Sequence, residues 1–252
     1  MRRLLLIGIG AGDPDYLTVQ AIRAIDAFDV LFVVTKDAAT DELVAARRDV
    51  VARHRTAGPF RTVELVDPPR PWREAPDYRA AVARWREQRT AQWSAAIRDG
   101  LADGETGAFL VWGDPSLYES TLAVVAEVAA ADDLDLDYEV LPGISAVHAL
   151  TARHRIPLNR VGRAVQISPA RLLADGMPDG VDDVVVMLDG RTTFATIPSD
   201  GIEIYWGAYL GTPDEILISG PLAAVADEIV RVRDAARARK GWVFDSYLLR
   251  RG

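Results

Sequence analysis

The chain has 252 residues, of which 49% are hydrophobic and 26% charged, and a formal net charge of −8. That charge disfavours a general nucleic-acid binder, which carries a basic face, and the length allows one large domain or two of about 100–150 residues. There is no cysteine, which excludes disulfides, thiolate nucleophiles and cysteine-held metals; the histidines, His54, His148 and His154, lack HExxH spacing, so no metal is expected.

No apolar run approaches the roughly 18–20 residues of a membrane span. The opening MRRLLLIGIGAG is too short for a signal peptide and passes into a glycine loop, so the expectation is a cytoplasmic protein with no membrane partner. Leu4–Ile9 is a continuous apolar run, the pattern of a buried parallel strand. A helix is predicted over Leu17–Phe28 with Thr18 as N-cap, followed by a strand at Val30–Val34, a charged helix over Asp41–His54 and a strand at Thr62–Val66. Asp67–Ala75, with Arg70 and Arg73, reads as a loop; Tyr78, Val82, Trp85, Trp93 and Ile97 then mark a long helix. A strand at Ala108–Trp112, a helix at Thr121–Ala131, a strand at Tyr138–Leu141 and a helix at Ser145–His154 complete a β-α alternation. The remainder is richer in strands: Val184–Leu188, Ile202–Tyr205 and Ile216–Ser219, then a helix over Leu222–Arg239 with Val225, Ile229 and Val232 on one face, and an alternating strand at Trp242–Leu249. A domain boundary is expected near residues 158–164.

Gly-Asp-Pro occurs twice, at residues 12–14 and 113–115, each time after a strand-like run. The first copy sits in GIGAGD, which departs from the dinucleotide fingerprint because the sixth place is Asp13 rather than glycine, and a carboxylate there would repel a pyrophosphate. Proline biases the preceding aspartate toward extended backbone. Since open α/β sheets bind ligands beyond the carboxyl ends of their strands, the two turns suit a cationic or hydroxyl-rich ligand. Tight strand-to-helix turns with no further role are the alternative.

Three stretches, GIGAGDPDYLTVQAI (8–22), VWGDPSLYEST (111–121) and VLPGISAVHALTARHRIPL (140–158), together resemble the tetrapyrrole methylases, the class III S-adenosylmethionine-dependent methyltransferases. The resemblance implies a two-domain α/β fold: an open, mostly parallel sheet in residues 1–160, a mixed sheet with helices in residues 161–252, and an active site between them. It also implies a homodimer, a small-molecule tetrapyrrole substrate, no nucleic-acid partner, and S-adenosylmethionine as cofactor with S-adenosylhomocysteine as product. Trp112, the stretches VVVMLDG (184–190) and YWGAYLGTPDEI (205–216), and the tail RKGWVFDSYLLRRG are similar to the branch of the family that serves cobalamin biosynthesis by methylating carbon 1 of precorrin-5 with loss of the acetyl group as acetate. A sibling enzyme acting on another ring carbon and a nicotinamide-dependent oxidoreductase are the alternatives.

Carried onto this sequence, the family's cofactor contacts fall on Ala11, Trp112, Gly113, Asp114, Leu117, Ser145, Ala146, Leu188, Ala208 and Gly211. Loss of acetate would benefit from a general base and an oxyanion donor. Asp114, Asp13 and Tyr118 are the catalytic candidates, with Glu119 and His154 as further bases; turn formation and packing are their structural alternatives. Precorrins are polycarboxylates, and Arg153, His154 and Arg155 form a basic run suited to them, unless it is simply a solvated helix end. His148 is expected on an apolar helix face as packing.

Overall fold

The computed structural model describes residues 1–35, 41–68, 76–131 and 134–252. The chain divides into two compact units: residues 1–10 with 14–144, and residues 11–13 with 145–252.

The first unit alternates β1 (Arg2–Gly8), α1 (Val19–Ala27), β2 (Val30–Thr35), α2 (Asp41–His54), β3 (Arg61–Val66), α3 (Tyr78–Gly100), β4 (Thr106–Val111), α4 (Thr121–Ala130) and β5 (Leu136–Leu141). Its five strands run in the order β3-β2-β4-β1-β5, all parallel. Both faces of the sheet are covered: Leu5, Ile7, Leu31, Val33 and Leu110 pack with Ile25, Val44 and Val51 of α1 and α2, while Leu4, Leu6, Phe32 and Phe109 pack with Trp93, Ile97, Val124 and Val128 of α3 and α4. Double coverage is why β1, β2 and β4 read as unbroken apolar runs. Thr18 caps α1 as expected, its hydroxyl accepting from Ala21 N at 3.0 Å.

The second unit contains α5 (Ala146–His154), β6 (Val165–Pro169), β7 (Asp183–Met187), β8 (Ile202–Ala208), β9 (Ile216–Pro221), α6 (Leu222–Lys240) and β10 (Asp245–Arg251). The strand order is β6-β7-β10-β8-β9, mixed, with only β6 and β7 parallel among the five. Ile204, Trp206, Tyr247 and Leu249 form a core with Leu222, Ile229 and Ala236 of α6. On the opposite face Gly207 lies against Leu150 of α5, so close that a Cβ there would stand 2.9 Å from its Cδ1. Helix α5 thus belongs with the second unit, whereas residues 1–160 were expected together.

Two readings of the sequence are corrected. Trp242–Phe244 precede β10, and β10 is buried along both faces instead of alternating, because it lies between β7 and β8 at the sheet's centre. Strand β6 was not foreseen: VQISP ends in proline, which an edge strand tolerates.

Candidate active site

The loop after β4 is fixed by backbone contacts and one carboxylate. Gly10 N donates to the Gly113 carbonyl at 3.2 Å and Gly113 N donates to the Gly10 carbonyl at 2.8 Å, which joins the loops after β1 and β4. Asp114 Oδ1 accepts from Ser116 N at 2.8 Å and from the Ser116 hydroxyl, an Asx turn. Its Oδ2 accepts from Gly143 N at 2.9 Å, so the carboxylate ties the β4 loop to the Pro142-Gly143 bend after β5. Leu117 N closes the turn onto the Asp114 carbonyl at 3.2 Å. Trp112 is partly buried against the core of α1 and α2. Tyr118 has φ 52°, an uncommon conformation for a bulky residue, and is 43% exposed. Glu119 Oε1 accepts from Ser120 N (2.8 Å), Thr121 N (2.9 Å) and the Thr121 hydroxyl (2.8 Å), so it caps α4. Burial would raise this carboxyl, but those bonds and the charge of Arg89 hold it below the usual carboxylate range.

Arg89 is buried. Nε donates to Asp67 Oδ1 at 2.8 Å, Nη1 donates to the Ser120 hydroxyl at 2.5 Å, and the guanidinium lies 4.4 Å from the Trp93 ring centroid. A cavity of about 250 Å³ adjoins it, bounded by Trp85, Tyr118, Glu119 and Glu127 among others. Arg70 and Arg73, a second candidate for substrate carboxylates, lie outside the described residues.

In the second unit, Ala11–Asp13 pack beside Leu210–Thr212. Ala11 is buried, Asp13 is partly buried, and a Cβ on Gly12 would collide with the Leu210 carbonyl and stand 2.8 Å from Thr212 Cγ2. Gly211 N donates to Glu215 Oε2 at 2.8 Å, and Glu215 Oε1 accepts from Arg153 Nε at 2.6 Å. Arg153, expected to meet substrate, is thus engaged by a carboxylate of its own chain. Arg155 is exposed and ends α5 with φ 57°. Ser145 is buried with its hydroxyl 2.9 Å from His148 Nδ1, and Ala146 opens α5. His148 is exposed, not packed, because α5 buries Val147, Leu150 and Thr151 instead. The Ala208 side chain is fully buried inside β8.

Leu188 stands 62% exposed at φ 59° after β7, on a loop held by Asp189. Asp189 Oδ1 accepts from Arg191 N at 3.0 Å and from the Thr193 hydroxyl at 3.1 Å; Oδ2 accepts from Thr193 N at 2.7 Å and from the Tyr247 hydroxyl at 2.7 Å. Burial, with Asp189 adjacent, pushes the Tyr247 phenol far up, so it remains a donor. Arg233 Nη2 donates to the Asp189 carbonyl at 2.5 Å, and its Nε donates to Asp245 Oδ2 at 2.9 Å. Asp245 also accepts from Trp206 Nε1 at 3.0 Å. Sequence reasoning missed this network. The available signal was Arg233 itself, spaced with Ile229 and Ala236 on the buried stripe of α6.

His154 is partly buried, with Nε2 3.0 Å from the Trp206 carbonyl. Burial lowers its pKa, only partly offset by that bond and by the charge of Glu215. The folded state therefore binds fewer protons than the unfolded chain, and the stability His154 contributes is lost as pH falls through the ordinary histidine pKa. The unfolding midpoint should fall as pH is lowered from about 6.5 toward 5, and His154→Gln should flatten that slope in thermal melts.

The family model described as Tetrapyrrole (Corrin/Porphyrin) Methylases matches residues 3–226. The chain is 48% identical over 252 residues to a precorrin-6A synthase (deacetylating) from Sinorhizobium sp, spanning 100% of this chain and 96% of that one. Among solved structures it is similar to a Corynebacterium diphtheriae protein described as cobalamin synthesis related (CobF), with TM-score 0.83, 35% identity, and coverage of 100% of this chain and 99% of that one. A uroporphyrin-III C-methyl transferase from Thermus thermophilus complexed with S-adenosylhomocysteine shares the fold, with TM-score 0.61 at 19% identity over 98% of this chain and 96% of that one.

Proposed function

We propose, on the premise that the chain belongs to the tetrapyrrole methylase family, that it is the deacetylating precorrin methyltransferase of cobalamin biosynthesis, converting precorrin-5 to precorrin-6A. The observation that carries this reading is similarity along the whole chain to a precorrin-6A synthase (deacetylating). The proposal includes S-adenosylmethionine as methyl donor, action in the cytoplasm and a homodimeric assembly. When bound, the donor supplies an activated methyl group on a sulfonium cation.

The residues present suit such a group. Leu188 is exposed with φ 59° beside the loop that the Asp189 carboxylate fixes, and a Cβ on Gly190 would meet open space, so main-chain atoms are accessible there. The Gly113–Leu117 loop adds backbone groups fixed by Asp114. A sulfonium favours carbonyl and carboxylate oxygens, which these loops carry. Leu188, Gly113 and Leu117 are assigned to hold the cofactor through their backbone. Asp114, with both oxygens already accepting hydrogen bonds, serves to position that loop. The protein's work is placement and exclusion of water. In the deacetylation, water or hydroxide adds to the acetyl carbonyl, the carbon–carbon bond breaks with acetate leaving, and its electron pair passes to the macrocycle carbon that takes the methyl group. Tyr118 is the assigned oxyanion donor.

Incubation with precorrin-5 and methyl-labelled S-adenosylmethionine should release one acetate for each methyl incorporated. Methylation without acetate would instead point to a sibling enzyme acting on another carbon. S-adenosylhomocysteine at 100 times its Kd should stabilise the protein by about 2.7 kcal/mol, whereas NADH should leave thermal melts unmoved.

A further inference from the structure

The β2–β4 ladder runs only from Val30–Gly107 to Phe32–Phe109, while β4 stays paired with β1 through Val111. The two strands therefore separate before their carboxyl ends. Peptide groups alternate direction along β4: the Val111 carbonyl serves Ile9 N on the β1 side, so the Leu110 carbonyl faces the gap on the β2 side. Arg47 of α2 reaches into this gap. Its Nε donates to the Leu110 carbonyl at 2.9 Å and its Nη1 to the Leu43 carbonyl at 3.0 Å. The connection from β2 leads outward to β3, while that from β4 crosses β1 to β5. The gap is thus the topological switch point, where open α/β sheets take their ligands.

A guanidinium has five N–H donors, and these two bonds use two of them. No carboxylate of the described residues lies within ion-pair distance of Arg47. Burial pushes its pKa down, and the charge of Glu119 offsets this in part. Glu119 is not available to close on Arg47, because the same carboxylate caps α4 with three hydrogen bonds. Arg47 nonetheless keeps some accessible surface. Among the described residues this desolvated, reachable cation with spare donors has no ion-pair partner, and a planar fork matches a carboxylate bidentately.

We propose that Arg47 is a substrate-binding residue that receives one acetate or propionate carboxylate of the tetrapyrrole. This rests on the precorrin methyltransferase reading above. The test is steady-state kinetics of Arg47→Met and Arg47→Lys with precorrin-5, alongside calorimetric titration with S-adenosylhomocysteine and thermal melts. Arg47→Met should raise KM for precorrin-5 by about 10- to 100-fold, consistent with a lost charge-assisted pair of roughly 1.5–3 kcal/mol. Its kcat and its affinity for S-adenosylhomocysteine should stay within about threefold of wild type, and Arg47→Lys should recover part of the KM. Unchanged KM in Arg47→Met would overturn the proposal, as would a loss of cofactor affinity parallel to the loss for substrate. If Arg47→Met does not fold, Arg47→Lys decides, with normal KM overturning the assignment. Failure of the wild-type protein to turn over precorrin-5 would overturn the parent reading, whereas normal wild-type turnover with an unaffected variant would overturn only the role of Arg47.

Discussion

Gly143→Ala will lower the unfolding midpoint by roughly 6–12 °C, the shift expected for about 3 kcal/mol in a protein of this size. A Cβ at this position would overlap the Gly113 carbonyl and stand 2.9 Å from both the Cα and the carbonyl carbon of Gly8. All of these are main-chain atoms at the carboxyl ends of β1 and β4, so no side-chain rotation relieves the clash. The loop would have to withdraw, lengthening the 2.9 Å bond from Gly143 N to Asp114 and releasing the β4 loop from the β5 bend. S-adenosylhomocysteine affinity should therefore fall at least tenfold even at temperatures where the variant is folded. Gly58→Ala is the control, because a Cβ there meets nothing within 4 Å; its melting curve should overlay that of wild type. A Gly143→Ala protein that melts with wild type would show that the bend is not set by backbone packing.

The same loop shows how far the sequence carries. The Gly-Asp-Pro echo marks a real feature, since the loops after β1 and β4 are joined at Gly10 and Gly113. The role expected for its acid was less legible: Asp114 reads as a carboxylate aimed at a ligand, yet its partners are Ser116, two residues away, and Gly143, 29 residues away. Local spacing reveals an Asx turn but not a partner supplied by another strand. Arg153 presents the same difficulty, because Glu215 lies 62 residues further on. The parallel strands were legible because burial on both faces leaves an apolar run that needs no tertiary information. The buried stripe of α6 is less legible for the opposite reason: Val232 fits an apolar pattern, but Arg233 is the residue taken inside, and the distant Asp245 and Asp189 carbonyl make that position tolerable. Arg47 was overlooked likewise, since nothing in a charged helix indicates which arginine meets a diverging pair of strands.

Arg233→Met will cost about 3–5 kcal/mol, the range for removing one partner of a buried ion pair. The Arg233 and Asp245 side chains are 4% and 3% exposed, so the carboxylate left behind would keep, among the described residues, the Trp206 indole as its donor and could not be rehydrated. Replacing both partners with apolar residues of similar volume, as in Arg233→Met with Asp245→Leu, should recover much of that loss, because the desolvation cost disappears along with the attraction. Stability and cofactor affinity should then separate. Arg233 also holds the Asp189 carbonyl at 2.5 Å, and the Asp189 carboxylate fixes the loop that follows Leu188, whose positive-φ backbone costs of order 1–3 kcal/mol. Without that anchor the loop can relax, so the double variant should melt near wild type yet bind S-adenosylhomocysteine at least tenfold more weakly by calorimetry. Asp189→Ala should weaken binding in the same way, since it removes the acceptor for Arg191 N, Thr193 N and the Tyr247 hydroxyl together. If the double variant regains both its melting temperature and its cofactor affinity, the network serves the core of the second unit alone and Leu188 is held by its immediate neighbours.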